Sequence, residues 1–174
     1  MMSRSCPKMA RRLPKTAFTL VEVVVAMLIV GAMLVAALNT VGASRMSQFK
    51  TSQRSRGQQL AADLMAEIIR KEYEDPDGTP LFGCEVGDAG TGRTGFDDVD
   101  DYAGWQASPP RCEDGTVIPG LTRYKRSVAV EWVNPQDPND VQAAATSAKR
   151  IIVTVSWNDM PVASVAAVRT ASGL

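Results

Sequence analysis

Three groups of residues in this 174-residue chain are of types that could do chemistry. One is a lone carboxylate, Glu22, set inside an apolar run. Another is a cluster of four aspartates, Asp97, Asp98, Asp100 and Asp101. The third is a set of cysteines, Cys6, Cys84 and Cys112. Histidine is absent from the whole chain, which removes the usual general base, the Ser-His arrangements and most zinc sites. No phosphate-cradling glycine loop stands in for them. The expectation is a protein that is not an enzyme, with no catalytic residues and no cofactor.

The aspartates lie in FDDVDDYAGW. Carboxylates this close suggest calcium, but the Ca²⁺-loop pattern D-x-[DN]-x-[DN]-G fails. Counted from Asp98, the fifth position is Tyr102 and the sixth Ala103. The competing reading is a solvated turn in which Asp side chains accept local backbone N–H groups. Tyr102 and Trp105 are then expected to pin the loop to the domain.

Glu22 poses a sharper question. Phe18 to Leu38 is 21 residues, nearly all apolar or small. As a helix at ~1.5 Å per residue it would span a hydrocarbon core of ~30 Å. A charge at the centre of such a span costs roughly 2.5–3.5 kcal/mol, so a glutamate near its start implies a partner. Arg4, Lys8, Arg11, Arg12 and Lys15 precede the run with no acid among them, which predicts a cytoplasmic N-terminus and an extracytoplasmic remainder. Without residues 1–17 the chain keeps 14 bases against 19 acids, a net charge of −5. No nucleic-acid partner is expected of such a surface.

Three readings of the run compete. A cleaved signal peptide could end at VGAS, with Val41 and Ala43 before a cut at Ser44, but the apolar run exceeds the usual signal core. An uncut anchor accounts for the length and leaves Glu22 without a role. The third rests on resemblance. KTAFTLVEVVVAMLIVGAML resembles the N-terminus of type IV pilins and pseudopilins, with a basic leader, Phe-Thr-Leu-x-Glu and an apolar helix. The resemblance covers about 30 residues. It implies cleavage between Ala17 and Phe18 by a prepilin peptidase, N-methylation of Phe18, and a role for Glu22 in assembly, where it meets a neighbour's N-terminal amine. Ala17 departs from the glycine usual in the family. DDVDDYAGW also resembles a segment of minor pilins of the mannose-sensitive haemagglutinin type.

The implied partners are the prepilin peptidase, other pilin or pseudopilin subunits, an inner-membrane assembly platform and the lipid bilayer. The implied location is the inner membrane in a single pass, then the pilus or pseudopilus. With Cys6 in the leader, the mature chain keeps the even pair Cys84 and Cys112, which outside the cytoplasm reads as a disulfide. The alternative function is an uncleaved, membrane-anchored extracytoplasmic binding module, including a calcium-dependent one.

The elements that position these residues follow from periodicity. After the leader (1–17) and the apolar helix (18–40), residues 41–74 lack proline and continue the helix. Leu60, Leu64 and Ile68 recur every four residues, with Ala61, Met65 and Ile69 beside them, giving one amphipathic face. Pro76, Gly78 and Pro80 end it. Residues 75–120 are expected to be irregular. Within 121–174, KRSVAVEWV, RIIVTVSW and VASVAAV alternate with period two and are joined in part by the turn NDMP. About three antiparallel strands packed on the amphipathic half-helix predict an α+β domain carried on a long N-terminal helix.

Overall fold

The computed structural model describes residues 19–76, 82–84 and 92–171. They fall into two compact units that divide between Met46 and Ser47. Helix α1 (Leu20–Ile69) supplies the described part of the first unit and the opening of the second. Its 50 residues contain no proline, so nothing in the chain interrupts the i→i−4 ladder.

The helix stops five residues before the expected limit at 74. Its last turn tightens, with Arg70 N–H on the Glu67 carbonyl (3.3 Å) and Lys71 N–H on that of Ile68 (3.0 Å). The chain then pairs with another segment. Glu72 N–H bonds the Asp97 carbonyl and Val99 N–H bonds the Glu72 carbonyl, each at 3.1 Å. A better outlet for backbone hydrogen bonds, not the downstream proline, sets the boundary.

Five strands form the sheet: β1 (Gln106–Ala107), β2 (Tyr124–Asn134), β3 (Asp137–Val141), β4 (Ala148–Trp157) and β5 (Met160–Thr170). The order is β1-β2-β4-β5, all neighbours antiparallel, with β3 folded back on the end of β2. The α+β class is as expected, with two more strands than the three foreseen. Both extra strands are short and carry no apolar alternation. β1 has two residues, and all five of β3 are exposed. Period two marks a strand with one buried face, and neither of these has one; β3 is held on β2 by the ladder and by Asn134 Nδ2 donating to Asp140 Oδ2 at 3.3 Å. The β4–β5 turn places Asn158 at φ 47° and Asp159 at φ 62°, the paired positive φ of a two-residue hairpin that Asn and Asp tolerate.

The core lies between one helix face and one sheet face. Leu60, Ala61, Leu64, Met65 and Ile68 meet Val128, Val130, Ile151, Val153 and Val155, all buried. Each of these side chains other than that of Ala61 contributes roughly 1.5–3 kcal/mol through burial. Gly57 marks the closest approach: a Cβ there would lie 2.9 Å from Val162 Cγ2 and 3.3 Å from Ala163 Cβ.

Candidate assembly site

The N-terminal segment builds its chemistry on a helix start. Thr19 is the N-cap: its Oγ1 accepts the Glu22 N–H at 3.3 Å, and its carbonyl accepts the Val23 N–H at 3.2 Å. Thr-x-x-Glu before an apolar run is the capping-box spacing, a signal present in FTLVE that the sequence reading did not use. Glu22 thus occupies the first turn, where the partial positive charge of the helix end favours an anion. The residue is exposed, and its carboxylate makes no hydrogen bond or ion pair among the described residues. Ala17 and Phe18, the expected processing residues, lie outside the described residues.

From Glu22 to Lys50 the helix is bare. Leu20, Met27, Leu28 and Met33 are 67–81% exposed. An 18-residue window of the helix has a mean hydropathy of 2.7 and is 0% buried. A helix this long and apolar can cross a membrane. Water is a poor solvent for it, and the described chain supplies no cover.

The other expected site residues separate into two fates. Cys84 and Cys112 are both exposed, and no disulfide joins them in the structure. The aspartates form a compact turn. Asp98 Oδ1 accepts the N–H groups of Asp100 (2.8 Å) and Asp101 (3.1 Å), while Asp101 Oδ2 accepts those of Asp97 (2.9 Å) and Asp98 (3.3 Å). Local backbone bonding is as expected, but the turn is not solvated. Asp98, Asp100 and Asp101 are buried and only Asp97 is exposed. The burial has a cause in Lys149, whose ammonium is itself buried and bonds both Asp100 Oδ1 and the Tyr73 carbonyl. Among the described residues no three His, Cys, Asp or Glu side chains are grouped to hold a metal.

Residues 13–38 match the family model described as the prokaryotic N-terminal methylation motif. The chain carries the N-terminus of the type IV pilin and pseudopilin family. Searches of curated proteins and of solved structures found no match. The motif is that of pilin-like, membrane-anchored subunits processed by prepilin peptidase.

In this pilin-like chain the acidic turn belongs to a larger polar staple at the end of α1. Arg93 donates to Glu67 through Nε (2.7 Å) and Nη2 (3.0 Å), and the Tyr102 hydroxyl donates to Glu67 Oε1 (2.9 Å). Burial alone would raise the Glu67 pKa, but the two hydrogen bonds and the charge of Arg93, with help from Tyr102, hold it below the usual carboxylate value. Burial and the neighbouring Glu67 push the Tyr102 phenol far up, so it stays a donor. Trp105 lies under two guanidinium groups, Arg93 at 4.4 Å and Arg126 at 5.7 Å. Tyr102 and Trp105 therefore pin the loop, as expected. The ionic partners were missed, though strand parity signals two of them. Arg126 shares a face with Tyr124, Val128 and Val130, and Lys149 with Ile151 and Val153, so each base was bound for the core and required an acid or carbonyl there.

Proposed function

We propose that this chain is a structural subunit, of the minor kind, in a type IV pilus or a type II secretion-like pseudopilus. It is cut between Ala17 and Phe18, methylated on Phe18, and drawn from the inner membrane into a filament by its N-terminal helix. The observation that carries this reading is the exposed Glu22 in the first turn of a helix whose apolar surface the described residues leave uncovered. Both features call for an external partner: hydrocarbon before assembly, and apolar helices of neighbouring subunits afterwards. Within such a bundle the effective dielectric constant falls, and a cationic N-terminal amine becomes the natural counter-charge for Glu22. The prepilin peptidase, sister subunits and an inner-membrane platform are the partners this route requires. The likeness of DDVDDYAGW to minor pilins of the mannose-sensitive haemagglutinin type supports the minor assignment.

Intact mass of the membrane-extracted protein tests the proposal. The expected mass is that of a chain beginning at methylated Phe18. An uncut chain overturns the reading and favours an anchored binding module, while a start at Ser44 identifies a secreted protein. Alkylation of the same denatured, unreduced sample tests the proposed Cys84–Cys112 bond. No added mass is expected, and two alkyl groups per mature chain would exclude the bond.

A further inference from the structure

The second unit is electrically polar along its strands. Phe49 packs edge-to-face on Trp157, 5.9 Å between ring centroids, which locates the earlier part of α1 beside the last residue of β4. Tyr124, the first residue of β2, is the register partner of Trp157. At this end stand Lys50, Arg54, Arg56 and Arg123, together with Asp159 of the β4–β5 turn, so bases outnumber the acid. None of the four bases has an ion-pair partner among the described residues. From Glu22 to Asp63 the sequence has no acid. At the opposite end Tyr73 meets Thr146 and Lys149, and the β2–β3 hairpin projects Asp137 and Asp140, both exposed. Glu72 and Glu74, also exposed, lie at the same end.

The basic end is shaped to receive something. A cleft of about 330 Å³ is lined by Phe49, Gln53, Arg56, Arg123, Tyr124 and Trp157, among others. Arg123 lies over the Trp157 ring at 5.8 Å. The Gln53 amide nitrogen is buried there with no hydrogen-bond partner. A buried donor without an acceptor costs free energy, and two guanidinium groups beside it define an acceptor of negative charge. Carboxylates meet that requirement, since Arg binds them in a planar, two-pronged geometry.

We propose that this cleft takes the acidic β2–β3 hairpin of a second copy of this chain, with Asp137 and Asp140 facing Arg56 and Arg123. Acceptor and donor lie at opposite ends of one sheet, so the contact is head-to-tail. A head-to-tail contact of this kind joins two copies that stand next to each other along a filament, without requiring that the whole filament be built of this chain. The inference rests on the filament-subunit reading and gives that reading a second, extracytoplasmic contact between copies. Opposite charges at the two ends also set direction, because basic-to-basic and acidic-to-acidic meetings are repelled.

The test uses the full-length processed protein. Cells are grown first in unlabelled and then in isotope-labelled medium, so that their membranes hold both kinds of copy, and these membranes are treated with a carbodiimide, which joins carboxylates to lysines without a spacer. Mixed-label peptides linking Lys50 to Asp137 or Asp140 are expected. In parallel, the double variant Arg56→Glu/Arg123→Glu should lower the sheared filament fraction by about tenfold, since like charges then face each other across the contact. Adding Asp137→Arg/Asp140→Arg to that variant should restore it. Failure of the four-fold charge swap to restore incorporation, with the protein still cut at Phe18, overturns the pairing. Links found only within single copies overturn it as well. Absence of cleavage would instead indict the subunit reading. A cleft that serves a phospholipid headgroup would show as a charge-reversal defect that the swap leaves uncorrected.

Discussion

The two stretches of α1 share a helix and almost nothing else. From Leu20 to Leu38 nearly every side chain is apolar and every one is exposed. From Gly57 to Ile68 the sequence alternates between faces, and Gly57, Leu60, Ala61, Leu64, Met65 and Ile68 are buried. The second stretch finds its cover within the chain, against β2, β4 and β5. The first finds none among the described residues, so its apolar area adds nothing to the stability of the fold they form. Burial must therefore be assigned to an environment before it is counted as folding energy. Charge follows the same division. Glu22 has no cationic partner among the described residues, while Glu67 holds one in Arg93.

The largest effect should come from Glu22. Glu22→Ala removes the desolvation cost of a carboxylate, so membrane insertion should hold or improve. Glu22→Gln keeps the size and the hydrogen-bonding atoms but not the charge. Incorporation of both into a sheared surface fraction should fall by about tenfold or more, the loss expected of a desolvated charge pair. Normal incorporation of both would break the comparison at its first term, because Glu22 would then have no external partner.

Matched truncations sharpen the comparison next. Leu64 is fully buried and Leu34 is 60% exposed. Leu64→Ala should destabilise the folded unit by about 2–5 kcal/mol through lost burial and a cavity. Leu34→Ala should leave its unfolding midpoint unmoved. Denaturant titration in detergent, followed by tryptophan fluorescence, measures both. A large loss in the Leu34 variant would mean that the bare stretch has cover within the chain after all.

The smallest effect concerns pH. Burial, then the charge of Asp100, raises the Asp98 pKa from 3.8 to about 7. A carboxyl with a raised folded-state pKa binds its proton more tightly when folded. Its stabilising contribution is thus complete below about pH 4 and is lost as pH rises towards 7. Asp98→Asn keeps an oxygen for the Asp100 and Asp101 N–H groups and cannot titrate. The stability difference, wild type minus variant, should fall across pH 4–7, and a flat difference would refute the shift.

Much of this was legible in the sequence, for identifiable reasons. Leu60, Leu64 and Ile68 announced their face by spacing, and β2, β4 and β5 by alternation, because each buries one side only. The N-terminal pattern was legible because cleavage and assembly demand particular residues at particular separations. What escaped were interactions without a local period. Glu67 and Arg93 are 26 residues apart, and Asp100 and Lys149 are 49 apart. Their partners are chosen by the fold, and only the parity of Arg126 and Lys149 hinted that bases would enter the core. β3 escaped for a different reason: a fully exposed hairpin has no buried face to read.

The staple that holds the loop to the end of α1 also bears on how long the molecule resists proteolysis. A protease must draw a run of backbone into its own active site, so it cuts where a segment can open without unfolding its surroundings. Residues 92–118 contain only one short 3₁₀ turn and a two-residue strand, and by that measure look vulnerable. Yet Arg93 is tied to Glu67, Glu72 is paired with Asp97 and Val99, and Asp100 is tied to Lys149. Opening this loop means breaking buried ion pairs and lifting Tyr102 out of the core. Digestion should therefore proceed at the rate of global unfolding, so a segment with almost no regular structure shares the lifetime of the sheet.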